Sequence, residues 1–444
     1  MLRALVTQSR KSPPKVERLR SCPPRAESPT ERAIPSLDVP HRGSSARAPV
    51  KRQETACCCT PYEKGCRLGD HGKLPRTRAV RALHIALALS AILLTACGSR
   101  SADDESDHGA SSPDVASPDR TPSEARLAEV RHWLYLIDAN LDVHTVDLIV
   151  ESDHDVVVLD FIPSEQNNTD YPMADVVARL QSAPHPKLVV AYVDIGEAED
   201  YRTYWRDDWG VGNPEWIVGA DPDNWEGNFP VAFWHDGWRD IWLSEDSYLQ
   251  AILDAGFDGV YLDWVEAYSD ENVLSIAETD GVNAEDEMVS WVGDIAQFTR
   301  SQRPDFIVIG QNAAELAERD DYLGIIDAIA QEQVWFDGGA DNDPAGDCPL
   351  PRTQDDVDTD DYLDSLSAPC RRYVESEPDS PLHVSSEEYL HYLTLAQSKG
   401  ELIFTVDYAL EPANVDWVYE TSRSKGFVPF VGNRALDRYV EPVP

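Results

Sequence analysis

From about Arg126 onward the sequence predicts an α/β fold, a (β/α)8 TIM barrel, on three observations. Short apolar runs rich in β-branched residues alternate with longer amphipathic stretches, the pattern of repeated β-α units around a parallel sheet. Eight such runs occur. Their polar residues gather at the C-terminal ends, where barrel enzymes build their sites. The organised segment, residues 126–444, also falls in the roughly 250 to 350 residues that a barrel with insertions takes.

The predicted strands are, in order, Trp133–Ile137, Val156–Phe161, Leu188–Asp194, Val231–Trp234, Gly259–Asp263, Phe306–Asn312, Ala328–Glu332 and Leu402–Tyr408. Each is too short for a helix and dominated by residues that suit a pleated, buried surface. Helical periodicity lies between them, over 173–182, 247–255, 287–303 and 386–399, and Gly400 is a usual helix stop after the last. An open doubly wound sheet is the alternative arrangement. No glycine-rich phosphate turn follows the first strand, so nothing supports a nucleotide or other cofactor.

In at least six runs the apolar residues come first and a carboxylate, amide or aromatic-polar group comes last. These ends are Asp160, Asp194 with Glu197, Asp263, Asn312, Glu332, and Asp407 with Tyr408. One aspartate between a strand and a helix reads equally well as an N-cap. Six such ends together converge on one pocket at the barrel mouth, while branched apolar side chains are expected to fill the interior.

Charge divides the chain. Residues 1–97 hold 18 Lys and Arg against 7 Asp and Glu, whereas 98–444 hold 20 against 73. So acidic a domain repels nucleic-acid phosphates and anionic lipid headgroups and fits neutral or cationic substrates better, while solubility in salty surroundings is an equally good reading of the same charge. Residues 76–97, RTRAVRALHIALALSAILLTAC, place arginines before an apolar run that ends in Leu94-Thr95-Ala96-Cys97. They resemble a bacterial lipoprotein signal peptide with its lipobox, the run being shorter than the roughly 20 residues that span a bilayer. The resemblance implies export, lipidation of Cys97 and anchorage to the cell envelope through the membrane, with residues 98–125 as a polar, disordered tether. Residues 1–75 carry five cysteines without zinc-module spacing and no sustained periodicity. Because a signal peptide begins a chain, they are expected to be untranslated, with the start near Leu74 or Val80; a disordered cytoplasmic leader is the alternative. Cys348 and Cys370 flank an acidic segment of one long loop, 337–381, and an exported protein meets oxidising conditions, so a disulfide between them is expected.

The segment Gly256-Phe-Asp-Gly-Val-Tyr-Leu-Asp-Trp-Val-Glu-Ala-Tyr268 is the most specific motif in the chain. With Val190-Ala-Tyr-Val-Asp-Ile-Gly-Glu197 and Ile309-Gly-Gln-Asn312, it resembles glycoside hydrolase family 114, the endo-α-1,4-polygalactosaminidase family, from about Trp133 to about Gly432. That resemblance implies a (β/α)8 barrel whose catalytic pair corresponds to Asp263 and to Glu332 of Ala330-Gln-Glu-Gln333, with Glu315 the alternative to Glu332. Glycosidic cleavage needs one carboxylic acid to protonate the leaving oxygen and one carboxylate to meet the oxocarbenium ion, so two acids suit the chemistry. A retaining reaction with Asp263 as nucleophile and Glu332 as acid/base is expected, with exchanged roles open.

Asp160, Tyr192, Asp194, Glu197, Trp264, Asn312, Asp407 and Tyr408 then become candidates for binding a polysaccharide, and an excess of carboxylates suits an amino sugar. Asp194 and Glu197 have a second reading as a loop-ordering hydrogen-bond pair. Trp205, Trp209, Trp225, Trp234, Trp238, Trp242, Trp264 and Trp335 are candidate platforms for sugar faces. Asp341-Asn-Asp343 and Asp355–Asp361 lack the calcium-loop pattern, the histidines lack zinc spacing, and no GxSxG elbow occurs, so no metal or serine nucleophile is expected. A barrel that binds glycan without cleaving it is the competing function.

Overall fold

The computed structural model describes residues 121–444 apart from 164–167, 223–226, 339–341, 343–345 and 379. The leader 1–75, the signal 76–97 with Cys97, most of the tether, Trp225, Asp341 and Asp343 lie outside the described residues.

Eight parallel strands form one sheet in chain order: β1 Trp133–Leu136, β2 Val156–Asp160, β3 Leu188–Asp194, β4 Gly259–Asp263, β5 Ile307–Gln311, β6 Ala328–Glu332, β7 Leu402–Tyr408 and β8 Val428–Gly432. Two hydrogen bonds bridge β8 and its following turn to β1 and nearly close the barrel: Trp133 Nε1 donates to the Val428 carbonyl (3.0 Å) and Ile137 N to the Leu436 carbonyl (2.9 Å). Seven strands fall where the sequence places them. The predicted strand Val231–Trp234 is instead part of a rim insertion, where Val231 N bonds Gly196 O and Ala232 N bonds Trp216 O. The eighth strand is Val428–Gly432, whose Pro429 masked it as a strand; proline is tolerated because β8 is an edge of the hydrogen-bonded sheet.

The helices follow from their apolar spacing and caps. In Met173–Gln181 the buried residues are Met173, Val176, Val177 and Leu180, one face of a 3.6-residue repeat turned to the sheet. The helix Ala284–Gln302 starts at the Asn283 cap, carries three acids in its first turn where the helix dipole favours them, and buries Met288, Trp291, Val292 and Ile295. Helix Ser386–Lys399 stops at Gly400, which takes the left-handed conformation (φ 111°) that other residues adopt at a cost.

The N-terminal mouth is sealed by ion pairs. Helix Pro122–Leu127, which draws Pro122–Ala125 of the expected tether into the folded unit, sends Ser123 Oγ to Asp327 (2.6 Å) and Arg126 to Asp258 (2.6 Å). Asp258 and Asp327 also take Arg303 and Arg300 at 2.8 and 2.7 Å. This face is built for stability, which leaves the opposite mouth for chemistry. There the strand Phe336–Asp337 pairs with Cys348–Pro349 of the 337–381 segment, which carries the Cys348–Cys370 disulfide, with Cα atoms 5.4 Å apart.

Candidate active site

Aromatic rings share the barrel interior with the expected branched aliphatics, such as Val158 beside Tyr135 and Ile309 beside Tyr261. Trp133 of β1 lies against Tyr261 of β4 (6.2 Å between centroids), Phe404 of β7 (4.9 Å) and Phe430 of β8 (5.7 Å), and Tyr135 against Tyr192 and Tyr261. Rings from non-neighbouring strands meet only inside a barrel, so these contacts fix which residues face inward. Alternation along β4 then turns Asp263 inward, two residues above Tyr261, and along β7 turns Val406 and Tyr408 inward and Asp407 outward.

Above the rings a hydrogen-bond chain crosses four adjacent strands. Tyr192 Oη of β3 donates to Asp263 Oδ2, and Asp263 Oδ1 accepts from Trp264 N at 2.8 Å. The same N–H reaches Gln311 Oε1 of β5 at 3.2 Å, and Gln311 Nε2 donates to Glu332 Oε1 of β6 at 2.7 Å. Asp263 and Glu332 are 3% and 1% exposed. Two carboxyl groups therefore share one network at the C-terminal mouth, with Gln311 between them. Sequence reasoning passed over Gln311, although it ends a strand one residue before Asn312.

The other strand-end acids have partners of their own. Asp160 accepts Asp138 N (2.8 Å) and Arg202 Nη1 (3.0 Å), and Arg202 also pairs with both oxygens of Glu199. Arg202, which sequence reasoning also missed, is buried beside the Tyr192 ring and neutralises much of this corner. Asp194 Oδ1 takes the Gly196 and Glu197 N–H groups at 3.0 and 2.9 Å, which ties the turn after β3 to its end. Glu197 is held by Asn228 Nδ2 (3.1 Å), and burial followed by the charges of Asp221 and Asp194 pushes its carboxyl well above the usual range. Asp407 also orders a loop, accepting Trp335 N and Phe336 N at 2.7 and 2.9 Å from the outward side of β7. Tyr408 packs at the mouth under Arg434. Asn312 spends both ends of its amide on protein, giving Nδ2 to Glu266 Oε1 and taking Glu332 N on Oδ1. Glu315 accepts from Tyr268 Oη at 2.6 Å, one turn beyond Asn312.

The tryptophans divide in the same way. Trp238 and Trp242 are fully buried between helices and pack the scaffold, while the Trp335 indole donates to Ser422 Oγ (2.9 Å). Trp264 follows Asp263 directly.

Backbone strain is concentrated at the same mouth. Trp264 (φ 54°), Asn312 (57°), Ala313 (47°) and Gln333 (56°) follow the ends of β4, β5 and β6, all in the left-handed region. Each costs on the order of 1–3 kcal/mol and persists only where surrounding structure holds it, a habit of functional sites. Among the described residues no group of three His, Cys, Asp or Glu side chains has the arrangement of a metal site.

The profile of glycoside-hydrolase family GH114 matches residues 116–443. The chain belongs to this family. Membership makes the GH114 barrel a glycoside hydrolase by family and a polysaccharide its substrate class. An uncharacterized protein of Deinococcus radiodurans is 31% identical over 357 residues, 80% of this chain and 98% of the relative. One of Thermotoga maritima is 32% identical over 319 residues, 69% of this chain and 81% of the relative. Among solved structures, Aspergillus fumigatus Ega3 in complex with galactosamine has a TM-score of 0.46 at 15% identity, covering 70% of this chain and 95% of its own. The glycoside hydrolase domain of PelA from Pseudomonas aeruginosa has 0.45 at 18%, covering 70% and 97%.

Proposed function

We propose that this GH114 protein is an exported, lipid-anchored hydrolase, tethered to the cell envelope through Cys97, that cleaves α-linked amino-sugar polysaccharide of the galactosaminan type. The attack is within the chain and retains anomeric configuration. The observation that carries the chemistry is the shared network of Asp263 and Glu332, buried at the ends of β4 and β6 and joined through Gln311.

Tyr192 Oη and Trp264 N each give a hydrogen bond to Asp263, which stabilises negative charge there and aims the carboxylate as a nucleophile. Glu332 gives its proton to the glycosidic oxygen as an Asp263 oxygen bonds the anomeric carbon and the leaving sugar departs. The Glu332 carboxylate then takes a proton from water, whose oxygen displaces Asp263 and frees the product. Gln311 Nε2 holds Glu332 on the Asp263 side through both steps. The acidic composition supports a cationic polymer as substrate, since the barrel attracts ammonium groups and repels anionic glycans.

The deciding experiment is product release from α-1,4-linked galactosamine polymer by wild type, Asp263→Asn and Glu332→Gln. Cleavage by wild type alone, with both variants folded, is the expected result. An inactive wild type that still binds a glycan would move the non-cleaving barrel ahead.

A further inference from the structure

Glu266 is another buried carboxyl at this mouth, and the two-step reaction gives it no work. It lies three residues beyond Asp263 on the turn that Trp264 opens, and it is 4% exposed. It reaches across to the end of β5, where Oε1 accepts from Asn312 Nδ2 at 2.9 Å. The other end of that amide, Asn312 Oδ1, accepts from Glu332 N and Gln331 Nε2, both at 3.0 Å. We infer that Glu266 is a positioning residue that fixes Glu332 relative to Asp263 through the Asn312 side-chain amide. This rests on Asp263 and Glu332 being the catalytic pair.

An asparagine amide has a donor end and an acceptor end, and a flip exchanges them. With Glu266 taking the NH2 end, the oxygen faces the Glu332 and Gln331 donors. The bond also holds backbone that would otherwise relax, because Asn312 and Ala313 are consecutive left-handed residues. Glu266 thus ties the turn that carries Asp263 to the strand end that carries Glu332, and the spacing of two carboxyls is what glycosidase chemistry depends on.

The bond needs an acceptor at this position, not a charge. Burial first, and then the Asp263 and Glu315 charges, push the Glu266 carboxyl well above the usual range. Its Oε2 has no hydrogen-bond partner among the described residues. A neutral glutamine offers the same acceptor to Asn312 Nδ2, and alanine offers none.

The test compares the full chain with Glu266→Ala and Glu266→Gln by kcat and KM on galactosamine polymer and by residue-resolved exchange of the Glu332 amide hydrogen. In E266A kcat falls about ten- to a hundredfold at little-changed KM, as misplacement of a reacting group predicts. The Glu332 amide also exchanges faster in E266A while those of Ile329 and Ala330 do not. E266Q recovers most of the rate and the protection. Wild-type exchange at Glu332 in E266A, or an E266Q as impaired as E266A, overturns the proposal. If wild type does not cleave but exchange follows the expected pattern, the catalytic pair falls and the positioning role stands. Glu266→Met, which keeps bulk without an acceptor, takes the place of E266A should that variant fail to fold, with the same outcomes.

Discussion

The Tyr192 hydroxyl of β3 donates a hydrogen bond to Asp263 of β4, at strand ends whose rings and backbones are already fixed by the aromatic column beneath. A hydrogen bond to a charged group is worth about 1.5–3 kcal/mol, and a nucleophile needs its carboxylate aimed throughout the reaction. Tyr192→Phe keeps the ring and removes only the donor. We expect kcat to fall roughly ten- to a hundredfold with little change in KM or in thermal stability. Steady-state kinetics beside a melting curve would check this, and a change confined to KM would place Tyr192 on the sugar instead.

Gly196 packs against the same corner. A Cβ there would stand 2.6 Å from Trp264 O, Trp264 Cε3 and Ala267 Cβ, and a backbone carbonyl is among them. Gly196→Ala must therefore shift the left-handed Trp264 whose N–H serves Asp263. The expected result is a loss of about 1–3 kcal/mol in stability, as overpacking produces, accompanied by a drop in kcat. Denaturant melts and kinetics on one preparation test it; lowered stability with untouched kcat would show that Trp264 can move without consequence for Asp263.

The sequence made most of the barrel legible because buried parallel strands are short, apolar and regularly spaced, and seven were placed correctly on that signal. It hid β8 because Pro429 breaks the strand pattern, and it offered Val231–Trp234 in error because a buried rim loop has the same composition as a strand. At the site, the ends of β4 and β6 were readable, yet the direction of each side chain was not. Asp407 and Tyr408 were treated alike, although counting by twos from the inward Phe404 separates them. Arg202 and Glu266 lie on turns beyond the strands, and their partners, Asp160 and Asn312, are 42 and 46 residues away. No local pattern encodes pairings at that distance.

The Cys348–Cys370 disulfide closes a loop over the turn that follows Glu332. Both cysteines are fully buried, and the strand beyond Cys348 bonds Leu350 N to Trp335 O at 2.9 Å. Closing a loop with a sequence separation of 22 restricts the unfolded chain by about 3 kcal/mol in the chain-entropy model. Cys348→Ser with Cys370→Ser is expected to lower the melting temperature and to open 349–369 to proteolysis before the barrel is cut. Limited proteolysis with mass mapping reads this directly, and first cuts elsewhere would show that the loop is held by packing alone.

Asp407 gives the chain a stability that depends on pH. Burial, only partly offset by the Phe336 and Trp335 N–H groups, raises its carboxyl from 3.8 to about 8. The native state therefore keeps a proton that the unfolded chain releases near pH 4. For a group raised on folding, the stabilisation is full below the unfolded pKa and is lost as pH climbs through the folded one, so this contribution declines from about pH 4 to pH 8 and is flat above. Asp407→Asn leaves an oxygen for both N–H groups and cannot ionise. The melting temperature of the variant should accordingly gain on wild type steadily between pH 4 and 8 and hold its lead beyond, because each unit of that window is worth up to about 1.4 kcal/mol. Parallel curves for the two proteins across the window would mean that Asp407 is already charged in the folded state, and that the loop at Trp335 is anchored by an anion.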